Sequence, residues 1–190
     1  MERWADQRRA RVALEGGVWK GSPVATAEAP VGVSNSELVR WAFGKISEHD
    51  IEPLREFWTP ETDERFPDRA VTGADEIISY FHEVFAAVSD FNLEIKSIAE
   101  ENDDVYVQWH LTGRHTGTFI GIDATGKDLA IDGMDHFVIR DRRVISNFVV
   151  FDRMQFAQQL GVLPPDDSRQ DRAMKALFNA KTKLASKLRR

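Results

Sequence analysis

The chain has no cysteine, which excludes disulfides, thiolate zinc sites, iron–sulfur clusters and cysteine nucleophiles. No apolar run approaches the roughly 18 residues that a membrane-spanning helix needs. The first nine residues are not followed by the apolar segment of a secretory signal. The five histidines lack zinc-site spacing. Segment 121–126 lacks the Lys-Ser/Thr ending of a phosphate loop, and no serine lies in a nucleophile elbow. We therefore expect a cytoplasmic protein without metal or cofactor.

Acidic residues outnumber basic ones, 31 to 25. The net charge of −6 argues against broad nucleic-acid binding. From Ser168 onward, however, Lys and Arg dominate. A basic helix there could contact a nucleic acid, a membrane or an acidic partner, but a solvated or packed helix is the commoner outcome. We expect no nucleic-acid and no membrane binding.

The length of 190 residues fits one domain with a sizeable core. Residues 1–33 are predicted to be an N-terminal arm and linker, with an Arg-rich helix up to about residue 17 and a Pro/Ala/Gly/Ser/Thr-rich linker over 21–33. Residues 34–165 are predicted to form the domain. Residues 166–190 are predicted to form a basic C-terminal helix, which packs on its own domain or on a second subunit.

Within the domain, helical patterns precede strand patterns. Ser34 and Glu37 form a capping box before the first helix. A short helix over 53–58 and an apolar-striped helix from Thr72 follow. Four strand patterns, joined by tight turns, lie at 91–95, 105–112, 129–139 and 144–151. This order predicts an α+β fold, with helices covering one face of a curved and mostly antiparallel sheet.

Strand alternation places one acid among apolar side chains. Between 129 and 139 the odd positions are Leu, Ile, Gly, Asp, Phe and Ile, so Asp135 shares the inward row and Gly133 leaves space beside it. An unpaired ionised carboxylate there is very costly, and it finds a partner or takes up a proton. Such a carboxyl suits general acid or base catalysis. A structural aspartate bonded to the backbone or to a histidine is the alternative.

Two further polar residues fall near the same predicted pocket. In phase with Val105, Val107, Trp109 and Leu111, the inward row reaches His115, which we expect at the pocket mouth. Asp152 closes the last strand. It is either the N-cap of the following helix or a second pocket carboxylate, and its spacing favours the cap.

Two longer motifs carry a family resemblance. Residues 107–122 and 124–127 read VQWHLTGRHTGTFIGI and ATGK, and residues 133–139 read GMDHFVI. Together with FVVFD at 148–152 and QQLG at 158–161, they resemble the SnoaL-like polyketide cyclase (ester cyclase) family over about residues 34–165. Asn147 and Phe148 stand where His-Trp is common in that family.

The resemblance implies a cone-shaped α+β barrel of the ketosteroid isomerase and nuclear transport factor 2-like superfamily, with one enclosed cavity and frequent homodimers. It implies cofactor-free, aldol-type ring closure of a polyketide-like or other bulky, apolar, carbonyl-bearing substrate. Asp152 and Asp135 become the acid/base candidates, with Asp152 slightly ahead, and His115 assists. The expected substrate-binding residues are Trp109, Phe119, Phe137, Phe148, Phe66 and Tyr80. A non-catalytic binding or assembly module remains an alternative, as does an epoxide hydrolase or dehydratase with an Arg–Asp or His–Asp pair holding water.

Overall fold

The computed structural model describes residues 29–188. The helix predicted up to residue 17 and most of the predicted linker therefore lie outside the described residues. The helices are α1 (Asn35–Ser47), α2 (Ala74–Ala87), α3 (Arg153–Gln159) and α4 (Arg169–Leu188). The strands are β1 (Trp58–Arg65), β2 (Ala70–Thr72), β3 (Val88–Glu101), β4 (Asp104–His115), β5 (Asp128–Arg140) and β6 (Arg143–Phe151), and a 3-10 helix spans Glu52–Glu56.

The first helix begins at the predicted capping box. Ser34 Oγ accepts from the Glu37 N–H at 3.2 Å, and the Glu37 carboxylate accepts from the Ser34 N–H at 2.9 Å. The two N–H groups that a capping box serves are thus satisfied. The helix buries Leu38, Trp41 and Ile46, and α2 buries Ile77 and Ile78. These apolar faces pack over the sheet.

Six strands form one mixed sheet in the order β2-β1-β6-β5-β4-β3. Neighbours pair antiparallel except β1 and β6, which run parallel. The predicted α+β class is confirmed, and the curved sheet is open instead of closing on itself. Its inner face carries the apolar rows of β4 and β5, including Val105, Val107 and Ile131, all buried.

The start of β1 differs from the prediction. The helix expected over 53–58 is a shorter 3-10 helix, and the strand begins at Trp58 and runs through Thr59-Pro60. Long-range contacts decide this, since Val144 N–H donates to the Phe57 carbonyl and Thr62 Oγ1 donates to the Val144 carbonyl. A register shift between Trp58 and Asp63 accommodates the proline segment.

The last helix follows a turn that contains Pro164-Pro165. Ser168 Oγ accepts from the Asp171 N–H and so caps α4, which begins three residues later than the predicted segment 166–190. No helix among residues 29–188 is both long and apolar enough to span a membrane.

Candidate functional site

One cavity lies between the helices and the inner face of the sheet. Its volume is about 160 Å³. A single buried water needs roughly 10–15 Å³ of such space, so the cavity is large enough for a small organic molecule. Its walls are almost entirely apolar and aromatic, supplied by α1, α2 and all strands except β2. Its polar lining residues are Glu64, Tyr80, His115, Asp135 and Asn147, besides the two indoles of Trp58 and Trp109.

Asp135 is buried in the inward row of β5, where alternation predicts it. Trp109, on the neighbouring strand β4, donates its indole N–H to Asp135 Oδ1 at 2.8 Å. Asn147 Nδ2 donates to Asp135 Oδ2 at 3.4 Å. Burial raises the Asp135 pKa to about 7, although both hydrogen bonds favour the ionised form. Asp135 is therefore poised to exchange a proton near neutral pH.

A second buried carboxyl, Glu64 on β1, lies in the same cavity and was missed by sequence reasoning. It is 2 % exposed, and the Trp58 indole N–H donates to Glu64 Oε1 at 2.9 Å. Burial raises the Glu64 pKa to about 8, and the negative charge of Asp135 adds to the rise. Strand phase was the signal that could have found it, since Glu64 lies on the same face of the strand as Thr62 and Phe66, which are both buried.

The amide of Asn147 lies beside both carboxyls. Asn147 is the parallel-register partner of Glu64 across β1 and β6, and its Nδ2 donates to Asp135. The amide lowers the pKa of each carboxyl against the larger effect of burial. Asn147 Oδ1 is buried and has no hydrogen-bond partner. It is thus a free acceptor beside the carboxyl pair.

The cavity holds no fixed positive charge near this pair. None of its described lining residues is Lys or Arg. Two carboxylates in an apolar site cannot both stay ionised without such compensation. Near neutral pH the pair therefore holds one proton, mainly on Glu64 because its pKa is higher. One carboxyl can accept a proton while the other donates one.

His115 lies fully buried at the end of β4. Its Nδ1 accepts from the Thr125 backbone N–H at 3.2 Å, and the Thr125 hydroxyl lies 3.1 Å away. Because a backbone N–H can only donate, Nδ1 is unprotonated and the neutral ring carries its hydrogen on Nε2. Burial lowers the His115 pKa, which keeps the ring neutral. Nε2 has no partner, so the cavity contains a free N–H donor.

Most of the expected binding residues surround this space. Trp109, Phe119, Phe137, Phe66 and Tyr80 all line the cavity. Tyr80 stacks on Phe66 with ring centroids 3.7 Å apart, and its hydroxyl donates to Asp68. Burial raises the Tyr80 pKa, so the phenol stays protonated. Tyr80 therefore offers a ring face to the cavity and commits its hydroxyl elsewhere.

Two predicted site residues lie outside the cavity, and their expected placement is corrected. Asp152 is exposed, and its Oδ1 accepts from the Met154 and Gln155 N–H groups at 2.8 and 3.0 Å as the N-cap of α3. Phe148 is 47 % exposed, with the Arg65 guanidinium 5.8 Å from its ring centre. Both share the outward phase of β6, whereas Asn147, Val149 and Phe151 face inward.

The described residues offer no metal centre. Among residues 29–188, no three His, Asp or Glu side chains are placed to hold a metal ion. The His–Asp pairs in this part of the chain, His110–Asp132 and His136–Asp104, are not among the cavity-lining residues. No described lining residue is Arg, and the one lining histidine, His115, is not hydrogen-bonded to Asp135 or Glu64.

Comparisons with known proteins agree with this architecture. The family model described as SnoaL-like polyketide cyclase matches residues 36–160. No curated protein matches the chain. A candidate SnoaL-like polyketide cyclase from Jannaschia sp. CCS1 is 23 % identical, with a TM-score of 0.62 over 67 % of this chain and 92 % of that one. AclR from Streptomyces galilaeus, a candidate hydroxylase, is 24 % identical, with a TM-score of 0.58 over 77 % and 88 %.

A third similar structure is a protein with a ketosteroid isomerase-like fold from Catenulispora acidiphila. It is 14 % identical, with a TM-score of 0.57 over 72 % of this chain and 99 % of that one. At these identities the likeness establishes a shared fold, and the activity has to be argued from the cavity.

Proposed function

The chain belongs to the SnoaL-like polyketide cyclase family, and from that premise we propose that it is a cofactor-independent cyclase or isomerase. The observation that carries this proposal is the pair of buried carboxyls, Asp135 and Glu64, which lie in one apolar cavity with the amide of Asn147 beside them. Its substrate is a compact, apolar molecule with a carbon flanked by two carbonyl groups. Such a carbon releases a proton readily when a base is positioned against it.

The two carboxyls take complementary roles in the proposed reaction. Asp135 has the lower pKa and ionises first, so its carboxylate removes the proton from the activated carbon. The resulting enolate carbon attacks a second carbonyl of the same molecule, which closes the ring and forms an alkoxide. Glu64 gives its proton to that alkoxide. No atom is gained or lost, and proton exchange between the carboxyls restores the starting state.

Two free polar atoms orient the substrate in this scheme. His115 Nε2–H donates to one substrate carbonyl, and Asn147 Oδ1 accepts from a hydroxyl or enol group. A buried donor or acceptor without a partner costs about 1–3 kcal/mol, so a substrate that satisfies both binds preferentially. The aromatic walls exclude water, which strengthens these hydrogen bonds and protects the enolate.

Hydrogen exchange at carbon tests the first step without knowledge of the natural substrate. The protein is incubated in D₂O with aryl-substituted 1,3-dicarbonyl esters, and NMR follows loss of the hydrogen between the carbonyls. We expect acceleration by the wild type and a loss of about 100-fold in Asp135→Asn. Asp132→Asn, on the exposed side of the same strand, serves as the matched control and retains the rate.

Two results would count against this activity. If the rate of hydrogen exchange at carbon is unchanged in Asp135→Asn, Asp135 is not the base. Tight binding of these esters without any accelerated exchange would favour a ligand-binding module of the same fold.

A further inference from the structure

The polar cluster inside the cavity is rich in hydrogen-bond acceptors. An ionised carboxyl has two oxygens, which together accept up to about four hydrogen bonds. Trp109 gives one indole N–H to Asp135, Trp58 gives one to Glu64, and Asn147 Nδ2 donates to Asp135 over the longer distance of 3.4 Å. Asn147 Oδ1 is a further buried acceptor, and it has no partner. The cluster can therefore take a ligand that brings several hydrogen-bond donors.

The charge of this cluster also lacks a counterion. Asp135 and Glu64 are 7 and 2 % exposed, so water screens their charge only weakly. Lys and Arg are absent from the cavity lining that the structure describes. Because burial raises the pKa of Tyr80 and lowers that of His115, these two lining residues stay uncharged. The cavity is thus negative whenever a carboxyl of the pair ionises, and a positively charged ligand would compensate that charge.

The rest of the cavity wall favours an organic cation over a hydrated inorganic ion. Apart from the polar cluster it is almost entirely apolar and aromatic. Such a wall cannot replace the water that an inorganic ion loses on entry. Aromatic rings, in contrast, attract cations through the negative charge of their faces, and they pack against an apolar body.

We propose that the cavity binds a compact organic ammonium ion, whose N–H groups donate to Asp135, Glu64 and Oδ1 of Asn147. A primary ammonium has three donors and no acceptor, which matches these three side chains. Its apolar body then lies against the aromatic wall. This class of ligand differs from the neutral dicarbonyl substrate, and its binding does not depend on the ring closure.

Such a ligand changes the number of protons that the carboxyl pair holds. A nearby positive charge stabilises both carboxylates, so Glu64 releases the proton that it holds near neutral pH. In the proposed ring closure Glu64 gives that proton to the alkoxide. A bound ammonium ion therefore inhibits the reaction, and this consequence, unlike the binding itself, rests on the proposed function.

Calorimetry with three ligands of similar size and different charge tests the binding. Benzylammonium, benzyl alcohol and benzoate are each titrated into the full-length protein at neutral pH, in two buffers of different ionisation enthalpy. We expect benzylammonium to bind at least roughly tenfold more tightly than benzyl alcohol, because its hydrogen bonds to the carboxyls are charge-assisted, and benzoate to bind most weakly. Benzylammonium should also release about one proton, which the buffer comparison measures.

Two variants locate the ammonium ion at the carboxyl pair. Asp135→Asn/Glu64→Gln removes both charges and should bind benzylammonium and benzyl alcohol with equal affinity. Glu61→Gln, which removes an exposed charge from the same strand, is the matched control and should keep the wild-type preference. Circular dichroism checks that each variant is folded. If the double variant does not fold, Glu64→Gln alone should bind benzylammonium without proton release.

Several results would overturn this proposal. They are equal affinities of the wild type for benzylammonium and benzyl alcohol, preferred binding of benzoate, and no binding of any of the three ligands. Benzylammonium that binds equally well to the double variant lies elsewhere, which also overturns it. Selective binding of benzylammonium without any accelerated carbon–hydrogen exchange would leave this site in place and remove the proposed activity, whereas exchange without charge selectivity would remove only this site.

Discussion

The Trp109 indole occupies the space above Gly133, its cross-strand partner on β5. A Cβ added at Gly133 would overlap the six-membered ring of Trp109. The glycine therefore lets the indole lie flat across the strand and reach Asp135 two residues further on. A backbone position with no side chain thus sets the hydrogen bond that the acid/base pair depends on.

Gly133→Ala is expected to displace this indole and to weaken its bond to Asp135. Overpacking of a well-packed core costs about 1–3 kcal/mol, and we expect that loss in the free energy of urea unfolding. Tryptophan fluorescence should change in the folded state, since the ring moves. Ala130→Ser, an exposed site on the same strand, is the control and should leave both observables unchanged. Normal stability in Gly133→Ala would contradict this packing.

Trp109→Phe removes the indole donor and retains an aromatic ring. Because this hydrogen bond lowers the Asp135 pKa, its loss should raise that pKa further. The acidic limb of the pH profile for carbon–hydrogen exchange should therefore move to higher pH, with a smaller change in the plateau rate. An unshifted limb would mean that Trp109 does not act on the reacting carboxyl.

Glu64→Gln should change the pH dependence of stability. Below its usual pKa of 4.5, Glu64 is protonated in both the folded and unfolded states. Between 4.5 and about 8 the unfolded chain releases a proton that the folded protein keeps, so folded-state stability falls as the pH rises through this window. We expect the variant to gain about 3–5 kcal/mol over the wild type between pH 4 and pH 9.

The comparison is made by urea unfolding at each pH, so the titration of other groups cancels in the difference. Glu61→Gln, at an exposed position on the same strand, is the matched control, and its unfolding free energy should differ from that of the wild type by the same amount at every pH. If the difference between Glu64→Gln and the wild type is also independent of pH, the Glu64 carboxyl is solvated normally.

A pair of substitutions at His115 separates its two nitrogens. Asn keeps an acceptor near Nδ1 for the Thr125 N–H and deletes the Nε2 donor, whereas Gln keeps a donor near Nε2. We expect His115→Asn to weaken ester binding about tenfold and His115→Gln to weaken it less. Calorimetry of binding measures both. Equal losses in the two variants would assign His115 a packing role.

Strand phase was enough to predict that Asp135 and His115 face inward, because the β4 and β5 rows alternate between buried and exposed positions, although His115 is fully buried and not at the pocket mouth as expected. The same test failed to draw attention to Glu64, because the segment before it is polar and contains Pro60. The proximity of Glu64 to Asn147 also depends on the parallel pairing of β1 with β6, which joins residues about 80 positions apart. No local pattern encodes that register.

The ranking of Asp152 had a different cause. Its cap spacing alone pointed away from the cavity, because the last strand is apolar in both phases, and the motif resemblance moved it forward. The observed N-cap hydrogen bonds agree with the local pattern. The sequence drew attention to Asn147 only because it stands where the family commonly has the His of a His-Trp pair. Its position between two carboxyls depends on strands that are distant in sequence.

Carboxyl titration by ¹³C NMR tests most directly whether Asp135 and Glu64 share a proton near neutral pH. The account predicts two carboxyl resonances with apparent pKa values near 7 and 8. The first should disappear in Asp135→Asn and the second in Glu64→Gln. Asp135→Asn should also lower the apparent pKa of Glu64, since the Asp135 charge raises it, whereas Glu64→Gln should leave that of Asp135 near 7. Titration of every carboxyl in the protein near pH 4, with no change in either variant, would contradict it.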